Sequence, residues 1–170
     1  MLRTAFLAAL IALACDAAAP ALVRSPADSA TGEIRFRLAG LNDAAILVPV
    51  HINGQGPFQF VVDTGATITC VDAALAQRLA LEPEAGRLGF GLDANRPGRV
   101  QLVRIDSIRV GTAHAVDLAG CVLDLAHIQQ AGLEVDGLLG LNFLKEFRVS
   151  FDFEREMLLL QERDGATHDR

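Results

Sequence analysis

An apolar run, Phe58 to Val62, drives straight into Asp63-Thr64-Gly65, and a second strand-like run, Thr67 to Val71, leaves on the other side. Asp is a poor strand residue. A carboxylate at the mouth of an apolar run is costly to bury unless its charge is paired or hydrogen-bonded. Gly65, with no Cβ, allows a tight turn and lets another backbone come close. A carboxyl group on a turn between two buried strands is therefore presented rather than hidden. Taken alone, Asp63 to Ala66 reads equally well as a plain Asp-Gly turn, so the flanks decide.

Upstream lies Val50-His51-Ile52-Asn53-Gly54-Gln55-Gly56-Pro57-Phe58, in which Asn53-Gly54 is a strong hairpin signal because both residues tolerate positive φ. Downstream, Asp136-Gly137-Leu138-Leu139-Gly140-Leu141-Asn142-Phe143-Leu144 joins two apolar residues and a glycine to the start of a short helix. With Asp63-Thr64-Gly65-Ala66-Thr67 between them, these segments resemble, in this order, the retropepsin-like aspartic proteases. The resemblance runs from Ile46 to Leu160. It implies an all-β fold: a closed, β-barrel-like single lobe of the acid-protease type with one or two short helices. It implies catalysis at Asp63, with Thr64 bracing paired loops through its hydroxyl and Gly65 letting them approach. It places Leu138, Leu139 and Gly140 in the second signature, packed beneath the catalytic loop, with the two leucines as pocket walls. It also puts a substrate-covering flap at the hairpin tip Asp93, Ala94, Asn95, bracketed by Gly86 to Gly91 and Pro97-Gly98. Without that resemblance the same stretch is an ordinary surface loop. Lids of this kind exclude water and fix substrate.

Peptide hydrolysis in this manner needs two carboxyls sharing one proton, because like charges ~3 Å apart cannot both ionise. The chain holds one Asp-Thr-Gly, and Asp136-Gly137 lacks the intervening Thr or Ser. An active enzyme of this kind is therefore expected as a homodimer, whose two-fold axis brings two Asp63 side chains together. The partners implied are a peptide or protein substrate and a second copy. Two other readings stand beside the endopeptidase: a catalytically inactive monomeric module of the same fold that binds peptides or a partner, and a purely structural β-domain.

The 170 residues suffice for one domain, and with 51% hydrophobic and 21% charged residues the chain is globular. A net charge of −6, with no Trp or Tyr and no basic patch, argues against nucleic acid as a partner. No His, Cys or carboxylate cluster has metal-ligand spacing, so neither metal nor cofactor is expected, and His51 reads as an ordinary surface or core residue. Met1-Leu2-Arg3-Thr4 followed by the apolar run Ala5 to Ala14 reads as a secretory signal, 1–14. That run is short of the ~20 residues needed to span a bilayer. Export across the inner membrane follows, to the periplasm or the envelope. Cleavage is either of the ordinary kind after Ala12-Leu13-Ala14, or at Cys15 as a lipoprotein acceptor that attaches the chain to the membrane. Residues 15–32, rich in Ala, Pro and Ser, read as a flexible linker, 33–163 as the folded domain, and 164–170 as a disordered tail. Cys70 and Cys121 both fall in apolar strands. They form either a disulfide, in an oxidising compartment, or two buried thiols.

The periodicity predicts a half-buried strand from Ile34 to Leu38, free to pair with the C-terminal strands, and a second from Ala45 to Ile52 whose Pro49 marks an edge or bulge. It predicts a helix from Asp72 to Leu81, capped by Asp72 and stopped at Glu82-Pro83. Further strands are expected at Val100 to Ile105, Ser107 to Val116 and Gly120 to Leu125, then a polar loop or short helix from His127 to Glu134. A hairpin of Arg148 to Phe153 with Met157 to Gln161 closes the domain.

Overall fold

Alternating apolar residues commit most of this chain to strands. The computed structural model describes residues 32–93 and 96–163, with backbone alone between 85 and 100. The expected signal (1–14), Cys15, all but the last residue of the linker, the flap residues Ala94 and Asn95, and the tail (164–170) lie outside the described residues.

The barrel is built from β3 (Ala45–Ile52), β4 (Gln55–Val62), β5 (Thr69–Asp72), β7 (Arg96–Val110), β8 (Ala113–Leu123) and β9 (Gly137–Leu139). Its neighbours run β3-β4-β9-β5-β8-β7, and a further β7 to β3 pairing closes the ring. β2 (Arg37–Ala39) extends the sheet beside β3, and β6 (Pro83–Asp93) forms a hairpin with β7. The fold is thus all-β and closed, as expected from the sequence. The interior is filled by Val48, Val50, Ile52, Phe60, Ile105, Ile108, Leu139 and Phe143, each without exposed surface.

A separate three-stranded sheet has the order β1 (Glu33–Arg35), β11 (Met157–Glu162), β10 (Phe147–Asp152). The N-terminal strand therefore does pair with the C-terminal one, Ile34 opposite Leu158. The single strand expected from Ile34 to Leu38 is in fact divided at Phe36, whose N–H donates to Glu156 O (2.9 Å) and whose ring is buried. The alternation holds through the break, with Ile34 and Phe36 inward and Arg35 and Arg37 outward. The division hands β1 and β2 to different sheets.

Asn53 and Gly54 adopt φ of 50° and 75° and make a two-residue hairpin turn between β3 and β4. Asn53 fixes it further: its N–H donates to Ser107 O (2.9 Å), and its Oδ1 accepts from Ser107 N (3.0 Å). Pro49 needs a place without a strand on one side, and it has one. β2 covers β3 only as far as Leu47, and β7 joins it only from His51.

Two boundaries differ from expectation. The helix α1 covers only Ala73–Arg78, because Ala80 turns to φ 50° before Glu82-Pro83 is reached. Its cap is as expected, Asp72 Oδ2 accepting from Ala74 N (3.0 Å). The three strands expected between Val100 and Leu125 are two: β7 runs unbroken through Asp106, and the turn at Gly111-Thr112 separates it from β8. Exposed Asp106 and Asp117 look like breaks in sequence, yet the barrel's own register carries both strands past them. The polar stretch after β8 holds a short helix, α2 (Ala126–Gln130).

Candidate active site

Asp63 sits where β4 ends, and β9 is the reason it stays there. β9 is inserted between the strands on either side of the loop, parallel to β4 (Val61 opposite Leu138) and antiparallel to β5 (Cys70 opposite Leu138). Asp63 N–H donates to Leu139 O (3.1 Å), which ties the aspartate's own backbone to the second signature. The Asp63 carboxylate is held from within the loop, Oδ1 accepting from Gly65 N (2.8 Å), and Ala66 N–H closes the turn on Asp63 O (3.3 Å). Thr64 and Gly65 are exposed, Asp63 is half-buried, and Ala66 is fully buried. The loop thus roots itself by Ala66 and offers Asp63, Thr64 and Gly65 outward.

The underside is a continuous set of hydrogen bonds. A helix leaves its first N–H groups without intrahelical partners. In α3 (Leu141–Leu144) the loop supplies them: Leu141 N donates to Ala66 O (2.8 Å) and Asn142 N to Thr67 O (3.1 Å). The Asn142 side chain then joins three segments. Its Oδ1 accepts from Thr69 N (2.8 Å) and Thr69 Oγ1 (3.0 Å), and its Nδ2 donates to Ala119 O (2.7 Å) on β8. Thr69 Oγ1 in turn accepts from Gly140 N (3.1 Å). Gly140 lies so close to the Ile68 carbonyl group and Thr69 N that a Cβ would stand 2.8 Å from that nitrogen. Only glycine fits there, because the obstacle is backbone.

Leu138, Leu139 and Gly140 are therefore beneath the loop, as the resemblance implied. One part of that expectation needs correction: Leu139 is wholly buried in the core and forms no pocket wall. Strand alternation sends it inward, while half-buried Leu138 packs with Ile68, Cys70, Leu102 and Cys121. Asn142 was not singled out by sequence. Its signal is an Asn inside a four-residue apolar helix, where such side chains do best with a backbone partner.

The other carboxylates nearby are occupied. Asp136 Oδ2 accepts from Gln59 N (2.8 Å), and Asp72 Oδ1 accepts from Leu125 N (3.1 Å) besides capping α1. Among the described residues, no three His, Cys, Asp or Glu side chains converge to hold a metal. The strands of the expected flap, β6 and β7, pair up to Asp93 opposite Arg96, with Ala94 and Asn95 beyond the described residues. His51, on β3 opposite Arg109, has its imidazole held below its ordinary pKa of 6.5 by burial and then by the Arg109 charge. Among the described residues, its Nδ1 has no hydrogen-bond partner. Cys70 and Cys121, paired across β5 and β8 with Cα atoms 4.4 Å apart, form a disulfide.

The sequence profile of one family, described as "Aspartyl protease", matches residues 48–143, more than half of the chain, from the strand before the loop through the helix that supports it. The chain belongs to the aspartyl protease family. Within it, the likeness is to the retropepsin-like branch. The crystal structure of a retropepsin-like aspartic protease from Rickettsia conorii aligns over 84% of this chain and 95% of that one, at a TM-score of 0.51 and 20% identity. The retroviral protease-like domain of Ddi1 from Leishmania major aligns over 72% of this chain and 97% of that one, at 0.39 and 16%. No curated protein matches the chain in sequence.

Proposed function

We propose that this family member is an aspartic endopeptidase that hydrolyses peptide bonds at a homodimer axis. The observation that carries the reading is the loop itself: a half-buried Asp63 carboxylate with exposed Thr64 and Gly65 around it, and neighbouring Asp72 and Asp136 committed to backbone donors. One such carboxyl is half of a catalytic pair. A second copy supplies the other, and two carboxyls at close range share a proton. The ionised Asp63 takes a proton from water as it attacks the peptide carbonyl, and the protonated Asp63 gives its proton to the carbonyl oxygen. Thr64 braces the two loops against each other, and the absent Cβ of Gly65 lets them meet. The β6–β7 hairpin, with Asp93, Ala94 and Asn95 at its tip, closes over the extended substrate.

The Cys70–Cys121 disulfide supports an exported chain in an oxidising compartment, periplasmic or bound to the envelope through a lipidated Cys15. The mass of the mature N-terminus tests that part. For the activity, a peptide-library digest at acid and neutral pH, run beside Asp63→Asn, is the test. Cleavage favoured by acid and lost in the variant, with the thermal transition unchanged, is the expected result. Equal cleavage by the variant rules the reading out.

One observation favours a second reading. β1 pairs with β11 of its own chain, so this strand is not held out for a partner. A monomeric module that binds peptides or a partner in the same cleft fits that pairing. Light scattering over a concentration series separates the two.

A further inference from the structure

The Asp63 loop leads into a small apolar cluster that is separate from the barrel interior. Ile68, Cys70, Leu102 and Cys121 are buried together there, with half-buried Leu123 and Leu138 packed against them. The Cys70–Cys121 bond joins two of its four buried members. Cys70 has a strand on either side, with Leu138 of β9 opposite it on one and Cys121 of β8 on the other. It directly follows Thr69, whose N–H and hydroxyl both donate to Asn142 Oδ1, while Asn142 Nδ2 reaches Ala119 O. β5 is thus fastened to β8 at two successive residues, through the Asn142 amide at Thr69 and covalently at Cys70.

Two thiols need more room at this place than the bond does. Bonded sulfurs lie ~2 Å apart, whereas unbonded heavy atoms settle at ~3.5–4 Å. On reduction the two sulfurs must therefore part by ~1.5–2 Å. Neither cysteine has exposed surface, and all four residues of β5 are buried. A close-packed interior has no slack to absorb such a change. The displacement passes instead into the spacing of β5 and β8, and so into Thr69 and the loop that precedes it. Misplacing reacting groups by ~1 Å can cost ~10²-fold in rate.

We propose that the Cys70–Cys121 bond is a one-way activation lock: the oxidised chain holds the Asp63 loop in place for catalysis, and the reduced chain keeps its barrel but not its cleavage. The proposal rests on the catalytic reading above and adds a control to it. In forming the bond each cysteine loses its thiol proton, and the two sulfurs join. The two electrons go to a disulfide of a small molecule or of an oxidising protein, which leaves as two thiols. Exchange needs access to the sulfur that is attacked, and in the folded chain neither cysteine offers it. The bond is therefore made as the chain folds and is then out of reach of ambient thiols. A chain that folds in a reducing compartment stays silent, and one that folds in an oxidising compartment becomes competent.

The test compares, in the full chain carrying Cys15→Ser, the oxidised protein with the same protein unfolded, reduced and refolded under dithiothreitol. Both are assayed well below their thermal transitions. In the reduced chain kcat for peptide cleavage is expected to fall tenfold to a hundredfold, about what such a displacement costs, with KM within about twofold. Cys70→Ala, which relieves the crowding, should recover part of that loss. Oxidised protein soaked in dithiothreitol without unfolding should keep its rate. Hydrogen exchange reads the loop independently of cleavage. The amides of Thr69, Leu141 and Asn142 should exchange about tenfold faster after reduction, beyond any change at Asn53 and Ser107 at the far hairpin. A reduced chain that cleaves like the oxidised one, with the same exchange at the loop, overturns the proposal. So does a reduced chain with no cooperative thermal transition, because the bond then serves the fold itself. The two readings fail separately. An oxidised chain that cleaves nothing removes the catalytic reading, while exchange still decides whether the bond holds the loop. Equal cleavage by both forms removes the lock and leaves the catalytic reading.

Discussion

Asn142 is the residue on which the Asp63 loop's position turns. Its amide oxygen satisfies Thr69 twice and its amide N–H satisfies Ala119 O, so removing it strands buried backbone groups on both β5 and β8. Each unsatisfied buried group costs ~1–3 kcal/mol. Asn142→Ala is expected to lower unfolding free energy by about 2–4 kcal/mol in urea titration. Asn142→Asp, which keeps the acceptor for Thr69, should lose less. A different kind of effect belongs to His51. Burial, aided by Arg109, depresses its native pKa. As pH falls below about 6.5 the unfolded chain takes up a proton at this site that the native chain still refuses, so stability falls with pH across that window. Once the native imidazole also titrates, the loss stops growing. Urea midpoints measured between pH 7.5 and 5 should show this decline, and His51→Gln should flatten its share of it.

At the scale of elements, the disulfide and β9 do the holding. Cys70 lies on β5, directly after the loop, and its bond to Cys121 closes a loop of 51 residues in sequence. Loop-closure entropy for that length gives about 4 kcal/mol. The Cys70→Ala, Cys121→Ala double variant should therefore unfold at markedly lower urea, with a matching shift when the parent is reduced after unfolding. An unchanged midpoint would mean that the cysteines are thiols. Elements with local signals were legible in the sequence. Asn53-Gly54 specified its hairpin, Asp72 its helix cap, and Pro49 a gap in the neighbouring strands. Elements set by distant partners were not. β7 and β8 pass through Asp106 and Asp117 because each strand has a partner, and no local pattern says so. Of the site, Asp63-Thr64-Gly65 and Leu138 to Gly140 were placed by the family resemblance of three short segments in order, because turn chemistry alone reads the first equally well as a plain Asp-Gly turn. Asn142 could not be placed, because Thr69 and Ala119 are 73 and 23 residues away in sequence. The choice between disulfide and thiols likewise depended on β5 and β8 becoming neighbours.

For the whole molecule, one barrel presents one Asp-Thr-Gly loop, and the proposed chemistry needs two. The barrel is a rigid base, with Gly140 and α3 fixing the loop from below. The claim that hydrolysis requires Asp63 from two chains makes a quantitative demand on mixed dimers. Parent chain and Asp63→Asn chain, mixed at fixed total concentration and allowed to exchange, should follow the square of the parent fraction. An equimolar mixture should retain about a quarter of the parent's peptide cleavage, because only parent-parent dimers carry both carboxyls. Cleavage that instead falls in direct proportion to the parent fraction, to about one half, would mean that each chain works alone, and would contradict the account.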